Sequence, residues 1–128
     1  MGWGVRAALA TGAGGDTCTL PKLRYLLRNV VAFDQVADVM AQMIDDPKAY
    51  QIVVIDCGSF GGLEVCRHVC RMFREEEIDV PLILITAQID EQIFPTNGQE
   101  PIVLRAPVSS VALRVALDMA LQTRFASL

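Results

Sequence analysis

Residues 51–62 read Gln51-Ile52-Val53-Val54-Ile55-Asp56-Cys57-Gly58-Ser59-Phe60-Gly61-Gly62, an apolar run that ends in one carboxylate and passes through a flexible turn into a new helix. Four successive apolar residues, Ile52 to Ile55, fit a strand covered on both faces, as in the middle of a parallel sheet. A charge at the last position of such a strand stands at the carboxyl edge of the sheet, where open α/β folds build their sites. Asp56 is therefore the first candidate for chemistry in the chain.

Outward from this stretch, strand-like and helix-like segments alternate. Val5–Ala10 is expected as a first strand, weak because it is mostly alanine, followed by the loop Gly12-Ala13-Gly14-Gly15-Asp16-Thr17. Thr19 is placed to cap a helix that carries Pro21 in its first turn and Leu20, Leu23, Leu27 and Val30 along one face. Asn29–Phe33 is the second strand. Asp34 is then placed to cap a helix with Val36, Val39, Met40, Met43 and Ile44 at helical spacing. After the strand 51–56, Ser59, Gly61 and Gly62 open a helix whose Leu63, Cys66, Val69, Cys70 and Phe73 face inward. Pro81–Thr86 is a fourth strand, fully apolar until its final hydroxyl. Gln88–Phe94 has room for barely two helical turns before Pro95, and Pro101–Arg105 is the fifth strand. Ser109 or Ser110 caps a last helix through Val111, Leu113, Leu117, Ala120 and Leu121.

Alternating strands and helices with apolar strands imply a parallel sheet covered on both sides. The expected fold is one domain over residues 1–128, a three-layer α/β/α sandwich with a five-stranded parallel sheet in the order 2-1-3-4-5. The fourth of its five helices is expected to be shortened or irregular. Strands one and three then flank the switch point, with Asp56 beside it. The 128 residues are 52% hydrophobic with a net charge of −4, enough apolar material for a substantial core. No basic stripe suggests a nucleic-acid surface, and no apolar run is long enough to cross a bilayer. A cytoplasmic protein whose partners are other proteins is expected. Cys18, Cys57, Cys66 and Cys70 lack the paired spacing of a zinc site and read as reduced thiols, mostly buried.

Four pieces in order resemble the receiver domain of two-component response regulators. They are Val54-Ile55-Asp56, Gly61-Gly62-Leu63-Glu64, Ile85-Thr86-Ala87 and Leu104-Arg105-Ala106-Pro107-Val108, and together they span nearly the whole chain. The resemblance implies that Asp56 holds the position of the phosphoacceptor and Thr86 that of the hydroxyl contacting the phosphoryl group. It also implies a cis peptide bond before Pro107. That chemistry needs a hard, oxygen-ligated Mg²⁺ and an ammonium group to cancel charge in one cleft. The family takes these from two acidic residues after the first strand and a lysine just before the proline.

This chain departs at both points. The acidic pair is replaced by the sequence Ala10-Thr11-Gly12-Ala13, with no carboxylate until Asp16, and Ala106 stands where the lysine would be. Arg105, one residue earlier, belongs to the other side of its strand. Val103 replaces an aromatic residue that many members use in switching. The expectation is an atypical receiver with no catalytic residue and no cofactor beyond weak Mg²⁺ binding, signalling as a protein-interaction switch with weak or no phosphorylation at Asp56. Its partners would be a histidine kinase, a phosphotransferase or an output domain, or a second copy of the chain, with no direct contact to nucleic acid or membrane. Val103, Val108 and Val111 are candidate contacts.

Two other readings stand beside it. One is an ordinary phospho-accepting receiver with Asp16 and Arg105 as substitutes for the missing groups. The other is a flavodoxin-like phosphate or nucleotide site through loop 11–17, whose glycines would present backbone N–H groups to an anion. A plain structural role is also available for each residue. Asp56 would cap the following turn, Thr86 would bond a nearby loop, and Pro107 would start the last helix.

Overall fold

The computed structural model describes residues 4–12, 15, 17–95 and 100–126, with residues 123–126 described by backbone alone. Five strands, β1 (Arg6–Ala10), β2 (Asn29–Phe33), β3 (Ile52–Asp56), β4 (Leu82–Thr86) and β5 (Ile102–Arg105), form one parallel sheet in the order 2-1-3-4-5. The expected sandwich is the one observed, a flavodoxin-like α/β fold. Helices α1 (Thr19–Leu26), α2 (Val36–Asp45), α3 (Leu63–Glu75) and α4 (Ser110–Ala126) alternate with the strands, except between β4 and β5.

The period-two alternation of the strands divides the core cleanly. Leu9, Ile52, Val54, Ile83, Ile85 and Leu104 point to one face, where Leu23 of α1 and Leu113 and Leu117 of α4 cover them. Ala8, Val53, Ile55, Leu84 and Val103 point to the other, under Val39 and Met43 of α2 and Cys66 and Phe73 of α3. β3 is buried at every residue, as its uninterrupted apolar run requires. β1 is the instructive strand. Alanine has little β-preference, yet Ala7, Ala8 and Ala10 are fully buried in the sheet's interior, because two neighbouring strands and helices on both faces decide the conformation there.

Several helix starts differ from expectation. Cys18, not Thr19, is the N-cap of α1, and Thr19 is buried in the first turn. Gln35 rather than Asp34 precedes α2, and no side chain caps it. Ser109 does cap α4, accepting a hydrogen bond from the Ala112 N–H at 3.0 Å. The α3 start is stranger: Gly62 is the N-cap at φ 100°, and the Gln88 side chain arrives from beyond β4 to accept the Leu63 N–H at 2.7 Å. The left-handed φ selects glycine here, and a Cβ would also press on the Gln88 amide at 2.8 Å.

Between β4 and β5 the described residues contain no helix, so the irregularity expected there extends to all of 87–95. Instead Ile93 makes an antiparallel bridge with Val103, exchanging N–H···O bonds of 2.8 and 3.0 Å. This covers part of the outer edge of β5, which would otherwise expose unpaired backbone groups.

Candidate functional site

Asp56 closes β3 at the switch point and is only 2% exposed. A buried carboxylate must find donors in the protein. Thr11, at the end of β1, supplies one: its hydroxyl donates to Asp56 Oδ2 at 3.2 Å. No buried side-chain nitrogen or oxygen among the described residues lacks a hydrogen-bond partner.

Gly12 and Gly15 of the glycine loop lie over this carboxylate. Gly12 N–H donates to Ser59 Oγ at 2.8 Å, and Ser59 Oγ donates back to the Gly12 carbonyl at 3.3 Å. Gly15 N–H then closes a turn onto the same carbonyl at 3.2 Å. The result is a close approach. A Cβ built on Gly15 would lie 2.0 Å from Asp56 Oδ2, 2.3 Å from Ser59 Oγ and 2.6 Å from Asp56 Cγ, so only a glycine fits above the strand end. Ser59 belongs to a 3-10 turn over Cys57–Ser59, between β3 and α3. Its role as a clamp on Gly12, and that of Gly15 as the residue pressed on Asp56, depend on contacts no local pattern marks. A serine three residues after a strand-end aspartate is the only trace of the clamp in the sequence.

Thr86 ends β4 and is 2% exposed. Its Oγ1 accepts a hydrogen bond from the Gln88 N–H at 3.1 Å, and no hydrogen bond joins it to Asp56. The register pairs Asp56 with Ile85, and Thr86 with Arg105. Alternation sets Thr86 and Arg105 on the face of Leu84 and Val103, opposite the face Asp56 shares with Val54. Arg105 is exposed, makes no ion pair among the described residues, and lines an open groove with Asp90, Glu91 and Pro107. The Ala106–Pro107 bond is cis. Asp16 lies outside the described residues. The cation tied to this loop comes from elsewhere: Lys22 of α1 donates to the Val108 carbonyl.

A dication of the Mg²⁺ type needs near-octahedral oxygen ligands at about 2.0–2.1 Å, usually with several waters. The described residues do not fit it. Thr11 and Gly12 bring no carboxylate to the end of β1, the Gly15 backbone fills the space next to Oδ2, and Asp56 is already bonded to Thr11. Among the described residues no group of three or more His, Cys, Asp or Glu side chains is placed to hold a metal.

Behind the site the thiols are packed in the core. Cys57, Cys66 and Cys70 are buried and reduced, and Cys18 is exposed. The hydrogen bond with Cys66 pushes the Cys57 thiol up from its ordinary value, and burial adds to this. Burial likewise pushes Cys70 up to about 12. Of the three apolar residues named as contacts, Val103 and Val108 are fully buried core residues and Val111 is 74% exposed. The α4 face turns about Leu113, Ala116, Leu117 and Ala120, which leaves Val111 one step outside the buried arc. Ile44 on α2 is also exposed.

Fold and site together define a doubly wound α/β domain with a capped, occluded carboxylate at its switch point. Comparison with protein-family models, curated proteins and solved structures finds no match to this chain. No helix among the described residues is long and apolar enough to cross a membrane.

Proposed function

We propose that the chain is a receiver-like signalling module that acts by docking protein partners, without efficient Mg²⁺-dependent phosphoryl transfer to Asp56. The observation that carries this is the Gly15 backbone lying against Asp56 Oδ2, where an incoming phosphoryl group would have to sit. An in-line attack needs an accessible nucleophile, and a dianion needs cationic groups to offset it. Here the carboxylate is buried, accepts a hydrogen bond from Thr11, and is overlaid by Gly15. The Thr86 side chain stands on the opposite face of the sheet from Asp56.

In this reading Asp56 is a structural anchor. It joins the β1–α1 loop to the β3–α3 turn and so shapes the carboxyl edge that a partner meets. The partner classes are a histidine kinase, a phosphotransferase or an output domain in the cytoplasm, with self-association as the alternative. The phosphate-binding reading of loop 11–17 is opposed by two features. The Gly12 and Gly15 amides are engaged within the protein, and a carboxylate underlies the loop. The reading that relies on Arg105 is opposed by that residue's exposed position on the opposite side of the sheet.

The test is intact-mass spectrometry after incubation with acetyl phosphate and Mg²⁺, for wild type and Asp56→Ala. The expected result is no phosphate adduct on either. A stoichiometric adduct on wild type that disappears in the variant overturns the proposal.

A further inference from the structure

The two edges of the sheet differ. β5 is covered in part by the Ile93 bridge, whereas β2, at the other edge, pairs only with β1 among the described residues. Proteins blunt such an edge with lysine, proline, a bulge or a covering segment. β2 carries none of these among the described residues. Its sequence, Asn29-Val30-Val31-Ala32-Phe33, holds no charge and no proline, and all five residues keep unbroken register with β1.

Backbone direction alternates along a strand, which identifies the groups that face outward. The Phe33 carbonyl accepts from the Thr11 N–H at 2.9 Å, so Phe33 and Val31 turn their backbone groups toward β1. Val30 and Ala32 turn theirs away from the sheet, and no hydrogen bond among the described residues takes those groups. Ala32 is also exposed.

The strand is complementary to itself. Turned about a two-fold axis at Val31, a second copy sets its Ala32 opposite Val30 and its Val30 opposite Ala32, each a hydrogen-bonded antiparallel pair. The next outward pair on either side brings Arg28 opposite Asp34 of the second copy, so opposite charges meet twice. A register shifted by two residues keeps backbone bonds but leaves Arg28 facing Ala32, or Asp34 facing Val30. Asp34 is exposed and makes no ion pair among the described residues. Arg28 has contacts within its own chain, so the charge test turns on Asp34.

We propose that β2 is a dimerisation edge, where two copies of the chain pair antiparallel about Val31 and join their five-stranded sheets into one. With Ile93 on the outer side of β5, the assembly closes at two copies. This assigns a surface to self-association and does not rest on the state of Asp56.

The experiment is sedimentation velocity on the full chain from roughly 10 µM to 1 mM, the range of weak interfaces. A reversible monomer–dimer equilibrium is expected, with nothing larger. Ala32→Pro removes an outward N–H that the fold does not use, so its far-UV circular dichroism stays native and it sediments as a monomer throughout. Asp34→Arg weakens dimerisation several-fold, and Arg28→Asp combined with Asp34→Arg restores it. In wild type, hydrogen exchange at the Val30 and Ala32 amides slows as concentration rises. A monomer at every concentration, species larger than a dimer, a dimer retained in Ala32→Pro, or a double variant no tighter than Asp34→Arg overturns the proposal. Exchange at Val30 and Ala32 that ignores concentration overturns it too, whether or not the proline variant folds.

Discussion

Gly15→Ala tests the closed loop directly. The added methyl carbon would begin 2.0 Å from Asp56 Oδ2 and 2.3 Å from Ser59 Oγ, against an ordinary contact near 3.4 Å or more. The loop must therefore rise by over ~1 Å, which breaks the Thr11–Asp56 bond and the Gly12–Ser59 pair. A hydrogen bond to a buried charge is worth about 1.5–3 kcal/mol and a neutral one about 1 kcal/mol, so a loss of about 2–4 kcal/mol is expected. For a chain of this size that lowers Tm by roughly 10 °C. The assay is urea unfolding of wild type, Gly15→Ala, Asp56→Ala and the double variant. Asp56→Ala removes two of the three close approaches, so the cost of Gly15→Ala should shrink in that background by more than about 1 kcal/mol. A Gly15→Ala cost below about 0.5 kcal/mol, or strict additivity with Asp56→Ala, would refute the reasoning.

Other measurements reach other parts of the molecule. Native protein should react with a thiol reagent at Cys18 alone, and at all four cysteines after unfolding. The raised Cys70 thiol means that the native state keeps a proton the unfolded state releases. Stability is then complete below the ordinary value of 9.0 and declines as pH climbs toward about 12, the value Cys70 reaches in the fold. Cys70 contributes about 1.4 kcal/mol per pH unit in that window, and Cys70→Ala should reduce the measured slope by one proton. Ser109→Ala, which removes the cap on α4, should cost about 1 kcal/mol by urea unfolding, and Gln88→Ala a similar amount at the start of α3. Glu77→Gly should stabilise the protein by about 1 kcal/mol by relieving the left-handed strain.

Caps and apolar faces differ in how far the sequence reveals them. Ser109 was legible because its own side chain reaches an amide three residues along the chain. Thr19 and Asp34 have the composition of caps, but the strands and loops before α1 and α2 bring the chain in one residue out of step. Val111 and Ile44 fit a helical spacing yet lie outside the buried arcs, since a period of 3.6 admits more residues than one contact face can cover. The cap on α3 could not be read at all, since Gln88 lies twenty-five residues away in sequence.

What the amino-acid order determined by itself was the architecture: apolar runs at Ile52–Ile55 and Leu82–Ile85, helices between strands, and a carboxylate at the end of the central strand. Hydrophobic periodicity is local, so it survives in a bare sequence. Only the tertiary structure decided what surrounds that carboxylate. Thr11 and Gly15 reach Asp56 from more than forty residues away along the chain, and Ser59 holds their loop in place. Contacts of that kind depend on sheet register and loop path, which no spacing of residue types records.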